Sequence, residues 1–104
     1  MNYFAHITGW GTSVPANVIT NADLAKIIET SDEWIRSRTG IAQRHIAEEG
    51  QSSASLGAEA ALKALKVANI SPHDVDLIVV STSSPEHLFP STASLIQDRI
   101  GATR

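Results

Sequence analysis

The chain has 104 residues, of which 42% are hydrophobic and 18% charged, a balance typical of one modest globular core. Its formal net charge of -3 gives no electrostatic case for nucleic acid, and the lack of cysteine excludes a disulfide, a cysteine-ligated metal and a thiol nucleophile within these residues. The N-terminus, MNYFAHITGWG, has neither a basic n-region nor a long apolar run. We therefore expect no signal peptide, no membrane span and a cytoplasmic location.

The first quarter of the chain predicts a strand followed by a loop and a helix. Residues 3–8 are rich in β-forming side chains and end in Gly9-Trp10-Gly11, which indicates a strand running into a glycine turn. Pro15 and Asn17 predict a loop. Residues 20–23 resemble a helix start with a capping box, and Leu24, Ile27 and Ile28 would form its apolar stripe.

The stretch SDEWIRSRTGI, residues 31–41, predicts a second helix of barely two turns. Thr30 and Glu33 fit a capping box with Thr30 as the N-cap, and Gly40 is suited to end the helix. Trp34 and Arg38 are four residues apart, so they project from one helical face. The pair is either a stacked surface brace or a platform for something flat and anionic.

The rest of the chain continues in α/β order. It predicts a doubtful strand at 41–47, a helix at Ser53–Ala68 capped by Asn69, a turn at 71–74, a strand at 76–82 buried on both faces, a polar loop at 83–90 and a helix at 91–100 stopped by Gly101. This order indicates an α/β fold. Two good strands and one doubtful strand make an incomplete sheet, since typical sheets have about five or six strands, so the chain resembles part of a larger fold.

Several segments carry a family resemblance. These are ITGWGTSVPANVITNADL, TSDEWIRSRTGI, the alanine-rich helix, DLIVVSTSSPEHLFPSTASLIQ and the closing IGA. Together they resemble the N-terminus of β-ketoacyl-acyl-carrier-protein synthase III, the initiating condensing enzyme of type II fatty acid synthesis in the thiolase superfamily. The resemblance implies that residues 1–104 are the N-terminal segment of a thiolase-like ketoacyl synthase domain. They would hold part of its first βαβ-type half and end before the catalytic cysteine.

The resemblance also implies a coenzyme A site. It assigns Trp34 to stacking on the adenine, Arg38 to the phosphate-bearing portion, and Thr30 and Thr39 to nearby polar contacts. Coenzyme A thioesters would be substrates, with no tightly bound cofactor. From the residues alone, the alternative is that Trp34 is half-buried packing and Arg38 caps the C-terminus of its helix.

Phe89, in the stretch LFPST, is the second residue to which the resemblance gives a role. In the family this phenylalanine crosses a dimer interface and closes the acyl pocket of the partner subunit, which implies a homodimer. Without the resemblance, we would expect Phe89 to be a loop aromatic packed on its own core.

The implied reaction is a decarboxylative condensation of acetyl-CoA with malonyl-acyl-carrier protein. Its catalytic cysteine, histidine and asparagine would all lie beyond residue 104, so this chain would contain no catalytic residue and be inactive alone. Two alternatives remain open. One is a related enzyme of secondary metabolism that condenses or transfers acyl groups from acyl-CoA, and the other is a non-catalytic truncated module.

Other candidate sites are weak. The four histidines (His6, His45, His73 and His87) are widely spaced, which argues against a metal site. Gly9-Trp10-Gly11 lacks the third glycine of a dinucleotide fingerprint. The hydroxyls of residues 81–84 have no base spaced to activate them. Ser94 occupies a position where many members of the family have a non-catalytic cysteine.

Overall fold

A computed structural model describes residues 2–103 of the chain, which divide into two compact units. One unit is Val14–Gly50, and the other joins the residues up to Ser13 with those from Gln51 onward. The elements in chain order are β1 (Asn17–Thr20), α1 (Asn21–Leu24), α2 (Asp32–Thr39), β2 (Gln43–Ile46), α3 (Ser53–Ala68), a 3-10 turn (Pro72–Asp74) and α4 (Thr92–Ile100). Between residues 2 and 103, no helix is long and apolar enough to cross a membrane.

The unit Val14–Gly50 is built on an antiparallel hairpin. Strand β1 pairs with β2 in a register that sets Asn17 opposite Ile46 and Thr20 opposite Gln43. The doubtful strand at 41–47 is therefore confirmed, whereas the loop predicted around Asn17 is wrong from that residue onward. The β-branched run Val18-Ile19-Thr20 favours an extended backbone. The prediction gave more weight to Pro15 and Asn17, which are typical of turns and come just before this run.

The caps of α1 and α2 agree only in part with the sequence. Thr20 caps α1 as predicted, since its hydroxyl accepts a hydrogen bond from Asp23 N at 3.1 Å. Helix α1 ends at Leu24, so the predicted apolar stripe does not form. The N-cap of α2 is Ser31 and not Thr30, because Ser31 Oγ accepts from Trp34 N at 3.1 Å. Gly40 ends α2 with a φ of +71°, as expected.

The hydrophobic core of the second unit lies between α3 and α4. Its buried members are small or branched side chains: Ala54, Ala58, Ile96, Ile100 and Ala102. Helix α3 has the predicted bounds, and Asn69 ends it in the left-handed region. Alanines on α3 let the bulkier isoleucines of α4 approach closely. The core is therefore set by shape complementarity between one small-residue face and one branched face.

The two segments predicted as long strands are not in a strand ladder within residues 2–103. In the 76–82 segment, Ile78 and Val80 pack on the core, whereas Leu77 and Val79 are 79% and 82% exposed. The prediction of burial on both faces is wrong here, because alternate side chains point away from the helices.

Gly9 and Gly11 serve close packing more than a turn. A Cβ on either would stand 2.2–2.3 Å from a carbonyl oxygen of α3, so only glycine lets the backbone approach so near. The glycine turn predicted at Gly9-Trp10-Gly11 is thus better described as a contact between this segment and α3.

Candidate functional site

Trp34 and Arg38 lie side by side on α2, as their spacing predicts. The guanidinium carbon of Arg38 stands over the indole, 5.8 Å from its ring centroid, which is within cation–π range. Trp34 remains 57% exposed, so it is not core packing. Ile35, the residue after Trp34, is the buried side chain of α2 and lies about 100° around the helix from the indole.

The indole also borders a shallow depression of about 250 Å³. Its other lining residues are Glu29, Thr30 and Ser31, which precede the helix. Thr30 is half-buried in this position. Trp34 therefore presents an exposed aromatic ring beside a concave, partly polar surface.

Thr39 lies at the other end of α2, where its hydroxyl is used by the helix terminus. It donates to the carbonyl of Ile35 at 2.8 Å and accepts from Ile41 N at 3.1 Å. These bonds join the last turn of α2 to the residue that follows Gly40. The structure thus places Thr30, but not Thr39, in the depression beside the indole.

Arg38 differs from the other cations of residues 14–50. Each of the others donates to an oxygen of the chain: Lys26 to Asp23, Arg36 to Asp32 and Arg44 to Asn21. Within the described residues, the Arg38 guanidinium has neither a hydrogen bond nor an ion pair, only its stacking on Trp34. It is the cation of this unit that is available to an anion.

The N-terminus of α2 carries an ionised carboxylate. Hydrogen bonds from the Asn21 amide, and then from Arg36, hold the pKa of Asp32 below its usual value. The Arg36 Nε reaches both Asp32 oxygens at 2.9 Å. A negative charge at this end of a helix is stabilised by the helix dipole.

Asn21 is a residue of this site that the sequence analysis missed. Its side chain is 1% exposed, and its amide contacts Asp32, Ile41 and Arg44. Its position could have indicated this role. Asparagine has a low helix propensity, so its presence as the first residue of α1 suggests that its side chain makes a specific contact.

Phe89 is 90% exposed, so the expectation that it packs on its own core is wrong. The loop that carries it is tied to the start of α3. Ser53 Oγ donates to Ser84 O at 2.8 Å, and Ala54 N donates to Glu86 Oε1 at 2.8 Å. Hydrogen bonds from Ser52 and then Ala54 lower the pKa of Glu86, so this anchor is ionised at neutral pH.

Two of the histidines make hydrogen bonds to the backbone. His45 Nδ1 donates to Pro15 O at 2.6 Å, and His73 Nδ1 donates to Thr103 O at 2.8 Å. In the part of the chain that the structure describes, no three or more histidine or acidic side chains are grouped to hold a metal ion.

Known proteins are similar to nearly the whole of this chain. No protein-family model matches the sequence. A beta-ketoacyl-[acyl-carrier-protein] synthase III of Xylella fastidiosa is 56% identical over 99 residues, which are 95% of this chain and 31% of that protein. Nearly the whole chain is thus similar to a part of the β-ketoacyl-[acyl-carrier-protein] synthase III proteins. It spans just under a third of the length of the curated synthase III relatives it matches.

Solved structures show the same similarity. The chain superposes on 3-oxoacyl-[acyl-carrier-protein] synthase III from Aquifex aeolicus VF5 with a TM-score of 0.87 and 48% identity, covering 93% of this chain and 31% of that one. It also matches the priming beta-ketosynthase of the R1128 polyketide biosynthetic pathway, with a TM-score of 0.85 and 33% identity over 92% of this chain and 29% of that one. The predicted thiolase-like α/β fold is confirmed.

Proposed function

We propose that residues 1–104 form the coenzyme A entrance of a thiolase-like 3-oxoacyl-acyl-carrier-protein synthase III, a cytoplasmic acyltransferase that initiates fatty acid synthesis. The observation that carries the proposal is the exposed indole of Trp34 with the unpaired Arg38 guanidinium over it. A stacking surface next to an available cation suits a nucleotide with phosphates. The similarity to synthase III proteins supports coenzyme A as that nucleotide.

The residues would act as follows. Trp34 stacks on the adenine, a contact worth about 1–3 kcal/mol for a base on an aromatic side chain. Arg38 meets phosphate oxygens with its planar guanidinium fork. Thr30 offers a hydroxyl from the depression beside the indole. Thr39 already donates to the helix, so it contributes to coenzyme A only as a further acceptor or through the helix end it holds.

The proposed reaction has two stages. A cysteine thiolate takes the acetyl group from acetyl-CoA and releases coenzyme A. Malonyl-acyl-carrier protein then loses carbon dioxide, and the resulting carbanion attacks the acyl-enzyme and returns the cysteine thiolate. Residues 1–104 contain no cysteine, so their part in this reaction is to bind the coenzyme A thioester and not to form the bond.

Phe89 has a proposed role in a homodimer. Its 90% exposure, together with 87% for Leu88, gives the anchored loop an apolar tip. An aromatic tip of this kind suits insertion into an apolar pocket of a second subunit. We assign it to closing the acyl pocket of the partner.

Isothermal titration of the chain with adenosine 3′,5′-bisphosphate, the nucleotide part of coenzyme A, tests the site. Trp34→Ala removes a stacking contact worth about 1–3 kcal/mol of binding free energy. We therefore expect it to bind the bisphosphate about 5- to 150-fold more weakly. Trp10→Ala is the matched control, because Trp10 is also exposed but lies in the other unit. Equal affinity of Trp34→Ala and the unmodified chain would overturn the proposal.

A second candidate is a priming condensing enzyme of secondary metabolism. The TM-score of 0.85 with a polyketide priming ketosynthase favours it. Both candidates use the same nucleotide platform and differ in the acyl group and the acceptor. Competition between acetyl-CoA and longer acyl-CoA thioesters for the enzyme distinguishes them, since a fatty acid initiator should prefer the acetyl group.

A further inference from the structure

The Asn21 side chain is the largest fully buried one among residues 2–103. Its Nδ2 donates to Asp32 Oδ1 and to Ile41 O, both at 2.8 Å, and its Oδ1 accepts from Arg44 Nη2 at 2.6 Å. The two acceptors fix which end of the amide carries the nitrogen. Both amide protons and the oxygen are therefore satisfied, as a buried polar group requires.

This one amide joins both ends of α2 to the hairpin. Asp32 is the first residue of α2, and Ile41 follows the glycine that ends the helix. Arg44 belongs to β2, and the backbone N–H of Asn21 also donates to Ala42 O at 3.2 Å. The helix is thus held at its start and just beyond its end by a single side chain.

Helix α2 needs such a hold. It has eight residues, and Ile35 is its only buried side chain. Helices shorter than about 12–15 residues are marginal by themselves in water, so packing and tethering must fix this one. One apolar contact leaves the helix free to rotate about that contact, whereas polar tethers at both ends remove the rotation.

We infer that Asn21 is a positioning residue for the proposed coenzyme A site. It contacts neither Trp34 nor Arg38, and it acts by fixing the helix that presents them together. The inference rests on the proposed function for the identity of the ligand. Its structural part, the hold on α2, rests only on the contacts of the amide.

The test compares Asn21→Asp with the unmodified chain. The substitution keeps the shape and the contact with Arg44, but it removes both N–H donors and sets a carboxylate against Asp32. We expect at least a tenfold loss of affinity for adenosine 3′,5′-bisphosphate by isothermal titration. In a Trp10→Phe background, acrylamide should quench the Trp34 fluorescence more strongly than it does with Asn21 intact.

A rescue separates positioning from general damage. Adding Asp32→Asn to Asn21→Asp exchanges donor and acceptor and restores a hydrogen bond between the two positions, but not the bond to Ile41 O. Affinity should therefore recover at least threefold relative to Asn21→Asp without reaching that of the unmodified chain. Asp23→Ala is the matched control for stability, because it removes the carboxylate that accepts from Thr20 N in the capping box of α1, in the same unit, without touching this amide. It should lower the melting temperature and leave affinity unchanged.

The outcomes that would overturn the inference are as follows. Affinity of Asn21→Asp within twofold of the unmodified chain overturns the inference, as does an equal loss in Asp23→Ala or no recovery in the double variant. If Asn21→Asp does not fold, Asp32→Ala cuts the same hydrogen bond and carries the same expectation. A chain that does not bind the bisphosphate overturns the proposed function, and the quenching comparison alone then decides whether Asn21 holds α2.

Discussion

Gly11 offers a sharp test of how closely the N-terminal segment packs on α3. A Cβ at this position would stand 2.2 Å from Ala60 O and 2.8 Å from Ala64 N. Ordinary van der Waals contact begins at 3.4 Å, so Gly11→Ala requires the segment to move by about 1.2 Å. The obstacle is helix backbone, which cannot rotate away as a side chain could.

The expected cost follows from that displacement. Overpacking of a fitted contact costs about 1–3 kcal/mol, and the smaller backbone freedom of alanine in the unfolded chain returns about 0.4–1 kcal/mol. The movement also strains the adjoining solvent-exposed hydrogen bond from Ser13 Oγ to Glu59 at 2.8 Å. We expect Gly11→Ala to lower the free energy of unfolding by about 2 kcal/mol.

Urea denaturation followed by circular dichroism measures this difference, with Gly57→Ala as the matched control. A Cβ on Gly57 would meet Ile96 Cδ1 at 2.7 Å, the movable end of a flexible side chain. Alanine also favours the helix interior by up to about 1 kcal/mol, so Gly57→Ala should be nearly neutral. If Gly11→Ala is as stable as the unmodified chain while Gly57→Ala is destabilised, the packing argument fails.

Three further predictions concern the unit Val14–Gly50. Ile35→Ala removes its buried aliphatic anchor and should cost about 2–4 kcal/mol in urea denaturation followed by Trp fluorescence; a loss below about 1 kcal/mol would contradict this. The pKa of Asp23 is lowered from 3.8 to about 2 by Thr20 and then Lys26, so its stabilisation is complete above pH 3.8 and disappears as the pH falls toward 2. Asp23→Asn should therefore flatten the dependence of melting temperature on pH in that range, and an unchanged slope would refute the assignment. Gly40→Ala places a side chain at a φ of +71° and should cost about 1–2 kcal/mol by thermal melting, whereas Gly40→Asn should cost less.

Local sequence chemistry predicted α3, α4 and the glycines that end α2 and α4. Helix α3 has the bounds Ser53–Ala68 given by its alanine-rich pattern, and α4 begins one residue later than expected because Ser91 is its N-cap. Gly40 and Gly101 end their helices in the left-handed region. These features depend on residues within one or two turns of each other, so a single sequence contains nearly all the information that fixes them.

Pairing and burial were harder to predict because they depend on residues distant in sequence. Strand β1 was missed because it needs β2, more than twenty residues later, as its partner. The four consecutive apolar residues from Leu77 to Val80 suggested burial on both faces, yet only alternate ones pack on α3 and α4. The same limit hid the role of Asn21, whose contacts lie 11 to 23 residues away.

The two arginines of α2 have different partners, which are set by their local spacing and by contacts distant in sequence. Arg36 is four residues after Asp32, and Arg38 is four residues after Trp34, so each faces its own partner. Two residues correspond to about 200° around a helix, so the two guanidiniums project to nearly opposite sides. Asn21 holds Asp32, and Asp32 in turn engages Arg36 on the side that fixes the fold. Arg38 is thereby left on the other side with the indole. Moving Arg36 by one position would lose the ion pair with Asp32, and moving Arg38 by one position would lose the stacking on Trp34.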